Sequence, residues 1–137
     1  PQMGFEHVMP EFIKRCVLDE EFTVQGDGTE SRCFCYVSDV VKAILAITES
    51  EDGKNEIFNI GNPHETSINE LIDVLGKIHG SKIIPKYKNF SKPGTKRRVP
   101  DITKLKKLGY FPSMTLDEGL KKTYDWYSNY YRNTNDG

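Results

Sequence analysis

Ile57-Phe58-Asn59-Ile60-Gly61-Asn62-Pro63, followed shortly by Ser67-Ile68-Asn69-Glu70, is the stretch on which the fold class turns. Ile57, Phe58 and Ile60 form a compact apolar run halted by Gly-Asn-Pro, which reads as a short buried strand opening into a loop. Ser67 and Glu70 have the spacing of a capping box, in which a serine oxygen and a glutamate satisfy opposing free amides. Leu71, Ile72, Leu75 and Ile78 follow at helical intervals, and Gly80 suits the residue just past a helix end. Strand, loop and helix in that order put the chain in the α/β or α+β class, read here as α/β.

Toward the N-terminus, Val8, Phe12, Ile13, Cys16 and Val17 give one apolar face to a helix of about 8 to 19. Residues 22 to 37 read as two short extended pieces around the tight turn Gly26-Asp27-Gly28. Ser38 or Asp39 is placed to cap a second helix, whose apolar face carries Val41, Ile44, Leu45 and Thr48 and which ends near Ser50. Toward the C-terminus, Lys82 to Lys88 suits an edge strand because it contains Pro85, and a Lys92-Pro93-Gly94 loop follows. Asp101 caps a short helix with Ile102, Leu105 and Leu108, closed by Gly109. Thr115 and Glu118 form a second capping box before a last helix bearing Leu120, Tyr124, Trp126, Tyr127 and Tyr130. Residues 133 to 137 read as a frayed tail.

A chain of 137 residues with 36% hydrophobic and 28% charged residues can build one modest core but not a cofactor domain beside a substrate domain. Its apolar runs fall far short of the ~18 residues that span a bilayer, and no secretory leader opens it. The expected setting is the cytoplasm. Cys16, Cys33 and Cys35 lack the spacing of a zinc site and read as free, structural thiols; no metal site is expected. The three histidines are dispersed, no serine sits in a nucleophile elbow, and no carboxylate pair is fixed by a motif. No catalytic residue is assigned. The opening Pro1-Gln2-Met3 begins in mid-pattern, as in a piece of something longer.

Three polar clusters lie near loops: Gly26-Asp27-Gly28 through Arg32, Asn59 through Asn62, and Lys96-Arg97-Arg98. Arginines on separate loops suit a diphosphate, since a planar guanidinium binds phosphate through two bonds and keeps its charge; a solvated basic loop is the plainer reading. Gly26-Asp27-Gly28 lacks the strand-to-helix setting and third glycine of a dinucleotide fingerprint. Residues 82 to 107 carry ten Lys or Arg against one acid, Asp101. With Tyr87 and Phe90 interleaved, that run could also serve a single-stranded nucleic acid, and a non-catalytic interaction domain is a further alternative.

Taken in order, Val24-Gln25-Gly26-Asp27-Gly28, Glu30-Ser31-Arg32-Cys33-Phe34, Tyr36-Val37-Ser38-Asp39, Phe58-Asn59-Ile60-Gly61-Asn62 and Arg97-Arg98-Val99-Pro100-Asp101-Ile102-Thr103-Lys104 resemble one family. They are similar to the C-terminal, substrate-binding part of NAD-dependent sugar-nucleotide epimerases, dehydratases and decarboxylases of the extended short-chain dehydrogenase/reductase type. Leu108-Gly109-Tyr110-x-Pro112, Leu116-Asp117-Glu118-Gly119-Leu120 and Trp126-Tyr127 resemble that family's closing helices. The resemblance implies helices and short strands over residues 1 to 132 plus one strand of a parent's Rossmann-like sheet, built from the Glu56 to Ile60 segment. It also implies an NAD domain outside this chain, and no Tyr-x-x-x-Lys pair occurs here. This part alone is thus expected to bind no NAD and to be inactive.

The same resemblance makes Arg32 and Arg98 the diphosphate contacts and sets Val24 and Gln25 under the nucleobase. It implies a UDP-, dTDP-, CDP- or GDP-linked sugar as ligand, a homodimeric parent, and neither membrane nor nucleic acid as partner. Asn59 and Asn62 are assigned to turn structure, Asp39 and Asp101 to helix caps. The Glu56 to Ile60 strand and the apolar faces of the second and third helices expect the parent's sheet, so a chain without it should self-associate or be marginally stable.

Overall fold

The structure is a computed structural model that describes residues 7–89 and 95–135. Pro1-Gln2-Met3, Phe90 and the Lys92-Pro93-Gly94 loop lie outside them. In chain order the elements are α1 (Val8–Val17), β1 (Thr23–Gln25), β2 (Ser31–Cys33), α2 (Val37–Glu49), a 3₁₀ turn (Glu51–Gly53), β3 (Glu65–Ser67), α3 (Ile68–His79), β4 (Lys86–Lys88), α4 (Thr103–Lys106) and α5 (Leu116–Asn135). The strands form two small sheets: β1 pairs with β4 in parallel, and β2 pairs with β3 antiparallel.

The main core gathers the apolar faces of α1, α3 and α5 over β1. Phe12, Ile13, Phe22, Val24, Leu71, Ile72, Leu75, Leu120, Tyr124 and Tyr127 are all buried in it. Each such side chain contributes about 1.5 to 3 kcal/mol on leaving water. Cys16 lies in this cluster, and burial pushes its thiol up to about 11. A second, smaller cluster joins Ala43 of α2 to Ile102, Leu105 and Tyr110.

Local capping signals translate directly into structure. The Ser67 hydroxyl accepts from the Glu70 amide at 3.1 Å, and Gly80 closes α3 at φ 86°. Thr115 and Glu118 bond reciprocally, with the Thr115 amide donating to the carboxylate at 3.0 Å and the Glu118 amide donating to the hydroxyl at 3.3 Å. Asp101, expected to cap the next helix, accepts from the Thr103 amide at 2.9 Å, but the N-cap residue of α4 is Ile102, without a side-chain cap bond.

Three expectations are corrected. The Glu56 to Ile60 segment forms no strand among the described residues: Ile57 is 88% exposed, while Phe58 and Ile60 pack on the second cluster. A strand of the buried type requires ladder partners on its backbone, and none of the described strands offers one. The α2 face carrying Val41, Ile44 and Leu45 points outward, about half exposed at each, the bare face expected where the parent's sheet is absent, while Ala43 turns inward. The matching face of α3 is covered within the chain, by α1 and α5. Asp39 does not cap α2, whose N-cap residue is Tyr36 and which has no side-chain cap bond. It is 1% exposed and accepts from the Ser113 and Met114 amides and the Ser113 hydroxyl, each at 2.9 Å, and from Lys42. Burial opposes its ionisation, but these donors together outweigh it and hold the carboxyl below its usual range. Two boundaries also move. The strand at 82 to 88 begins only after Pro85, and α5 runs on to Asn135.

Candidate functional site

The two arginines singled out in the sequence sit on neighbouring extended segments. Arg32 is the middle residue of β2, and Arg98 lies in the 95–101 segment that runs beside it. Ser31 and Arg97 form a parallel bridge, and the Ser31 amide donates to the Lys96 carbonyl at 3.0 Å. In extended chain successive side chains alternate between faces, and residues level across a ladder share a face. Ser31 and Arg97 therefore occupy one face, and one step further along the same register Arg32 and Arg98 come level on the other.

The occupants of the two faces differ in what they have to pair with. On the first, Glu65 of β3 takes Arg97 in a two-pronged bond, Nε to Oε2 at 2.8 Å and Nη2 to Oε1 at 2.6 Å, and its Oε2 also accepts from the Ser31 hydroxyl at 2.9 Å. The Arg97 bond, then the Ser31 bond, holds the Glu65 carboxyl below its usual range, and the same pairing raises Arg97. On the second face the partners are neutral: Arg32 Nη1 donates to the Ser31 carbonyl at 2.7 Å and Arg98 Nη2 to Thr95 Oγ1 at 3.3 Å. Neither Arg32 nor Arg98 forms an ion pair among the described residues. Arg32 is half-buried and Arg98 exposed.

The 95–101 segment is fixed downstream as well. Asn59 Nδ2 donates to the Asp101 carbonyl at 3.2 Å, and Pro100 packs so tightly on Gly61 that a Cβ there would stand 2.8 Å from its ring. Asn62 Oδ1 accepts from the His64 amide at 3.0 Å. Both asparagines thus hold turns.

Val24 and Gln25 form the inner end of β1. Val24 is 2% exposed, its side chain in the main core, so it supports the surface from beneath; Gln25 is exposed, level with Lys88 of β4. From Gln25 the chain reaches Arg32 through a turn bolted to the start of α3. Ile68 N donates to the Glu30 carbonyl and Asn69 N to the Gly28 carbonyl, both at 3.0 Å. With the Glu70 amide on Ser67, the first α3 amides are spent on structure, and the helix end has no free donors for an anion. Gly28 stands at φ +76°, where an added Cβ would fall 2.0 Å from Asn69 Oδ1. Asn69 in turn bonds the Asp27 carbonyl at 3.1 Å and the Tyr87 hydroxyl at 2.8 Å. A dinucleotide's pyrophosphate needs a bare glycine turn ahead of a helix, whereas this turn joins two strands and is filled by Asn69. These residues do not fit NAD.

Glu65 and Asn69 carry most of this arrangement, and the sequence reading named neither for that role. Both act across distances in sequence that no local motif spans. The basic stretch of residues 82 to 107 is partly neutralised: Lys86 pairs with Glu21, Arg97 with Glu65 and Lys104 with Glu56. No group of three His, Cys, Asp or Glu among the described residues could hold a metal, and no helix among them is long and apolar enough to cross a membrane.

Residues 2–61 match the NAD dependent epimerase/dehydratase family. The chain is 36% identical to a UDP-N-acetyl-alpha-D-glucosaminuronate decarboxylase of Bacillus cytotoxicus over 129 residues, covering 88% of this chain and 39% of that enzyme. Among solved structures it is similar to a UDP-glucose 4-epimerase of Thermotoga maritima solved with UDP-glucose, at 38% identity and a TM-score of 0.81, over 96% of this chain and 41% of that one. It is also similar to a UDP-glucuronic acid 4-epimerase of Bacillus cereus solved with UDP-glucuronic acid and NAD, at 29% identity and a TM-score of 0.86, over 96% and 42%. The chain spans roughly two fifths of the length of the relatives it matches.

Proposed function

From a chain that is a relative of the NAD-dependent epimerase/dehydratase family in sequence and fold, we propose that it is the nucleotide-sugar-binding part of an NAD-dependent enzyme acting on a UDP-linked sugar. Arg32 and Arg98 hold the diphosphate, and Gln25 lies beneath the base with Val24 as its apolar support. The carrying observation is the pairing pattern: of the three arginines at this site, Arg97 is neutralised by Glu65, whereas Arg32 and Arg98 have only neutral partners among the described residues. Two planar cations on neighbouring segments match the two charged phosphates of a nucleotide sugar, and each can give paired hydrogen bonds.

On this proposal the chain's own residues bind and orient; NAD, held by residues beyond those described, would supply the hydride chemistry. UDP is favoured over other nucleotides because the relatives above are named for UDP sugars. Three free thiols suit a reducing cytoplasm.

The test is Arg98→Ala in the complete enzyme. The expected outcome is a rise in KM or a fall in kcat/KM of at least about tenfold, the loss of a charged hydrogen bond of ~1.5 to 3 kcal/mol. Unchanged kinetics with the UDP-sugar substrate would overturn the assignment.

A further inference from the structure

Building on the diphosphate reading, we infer that Glu65 is a positioning residue for the nucleotide sugar: by gripping Arg97 it sets Arg98 level with Arg32 and keeps the third cation off the ligand's face. Glu65 stands on β3 as the register partner of Cys33 in β2, two residues beyond Ser31 and so on the same face. From there it reaches both strands that matter. Its Oε2 accepts from Ser31 in β2 and from Arg97 Nε in the neighbouring segment, while Oε1 takes Arg97 Nη2. One carboxylate thus ties together three stretches of chain.

Upstream of Pro100, few contacts among the described residues hold the 95–98 stretch. Its backbone joins β2 through the single bridge at Ser31 and the Ser31 amide bond to Lys96. A planar guanidinium bound through two nitrogens fixes direction as well as distance, so the Glu65–Arg97 bond sets the rotation of this stretch. With Arg97 turned to the Glu65 face, alternation sends Arg98 to the opposite one, beside Arg32. Without Glu65 the stretch could rotate or peel away, and Arg97, freed, would compete for the same anion.

The test titrates UDP into the natural full-length chain by calorimetry, comparing wild type with E65Q, R97Q, the double variant E65Q/R97Q, the charge swap E65R/R97E, and R98A. Glu65 acting through Arg97 predicts that E65Q and R97Q each weaken UDP binding about five- to tenfold. The double variant should be no weaker than either single one, because both remove the same link. With the UDP-sugar substrate, KM should rise while kcat stays within about twofold, a split that general loosening of the fold would not produce. Tighter UDP binding by E65Q would show that a freed Arg97 adds a favourable contact to the ligand instead of displacing Arg98, and would overturn the inference. So would unchanged affinity in E65Q and R97Q while R98A loses binding, an outcome that leaves the diphosphate reading standing. Unchanged affinity in R98A, or no UDP binding by wild type, would remove that reading and this inference with it. If E65Q fails to fold, the swap decides: a folded E65R/R97E binding UDP within about threefold of wild type supports the inference, and a folded swap that has lost UDP overturns it.

Discussion

A single carboxylate, Asp39, collects two amides, a hydroxyl and a lysine while almost wholly out of water. Its bonds run from α2 to residues 113 and 114, just before α5, so it anchors the start of the last helix. Asp39→Ala should cost about 3 kcal/mol, because bonds to an ionised acceptor are lost and two partly buried amides are left without this partner. A thermal unfolding comparison near pH 7 would register this as a drop of several degrees. The pH dependence has a definite sign. The folded carboxyl titrates below its unfolded value of about 3.9, so its contribution is full above that value and is lost as pH falls through the folded one. The gap between wild type and Asp39→Ala should therefore narrow in acid below about pH 4. A gap independent of pH would show that packing rather than charge accounts for it.

Among the elements, α2 differs from its neighbours in leaving an apolar face uncovered: Val37, Val41, Ile44 and Leu45 are each about half exposed or more, with Ile57 also outside. Replacing Val41 and Leu45 with lysine should leave the unfolding free energy within about 0.5 kcal/mol, since neither packs in a core. The same change should lower self-association, seen by sedimentation velocity as a smaller average mass at high concentration. Equal masses for both forms would mean this face does not drive association. How legible each element was follows from the range of its forces. The helices, the caps of α3 and α5 and the Gly26-Asp27-Gly28 turn were readable because a serine, a threonine or a glycine acts on amides within four residues. The α3 face misled because periodicity reports that an apolar side exists, not which neighbour covers it. The run at residues 57 to 60 misled for the related reason that a strand is defined by its partner. At the site, the proposal for Arg32 and Arg98 was legible from residue chemistry and family resemblance. Glu65 was not, because nothing near it in sequence announces an arginine 32 residues away.

For the molecule as a whole, the two clusters divide its work. The larger one rests on α1, α3 and α5, and the smaller one ties α2 to the 102–110 stretch. The segment that carries Arg98 lies between these regions in sequence and is held by side chains borrowed from elsewhere in the chain. Its links are of long range: Glu65 reaches Ser31 across 34 residues and Arg97 across 32. Closing such loops costs chain entropy before any contact repays it, so they should form late in refolding. In a stopped-flow experiment tyrosine and tryptophan fluorescence should recover first, as α5 packs its aromatic residues, and the capacity to bind UDP should return in a slower phase. Simultaneous recovery of both signals would contradict that order. A newly synthesised copy would then pass through an interval in which its core is closed while its arginines have not yet met, compact to a protease but blind to its ligand.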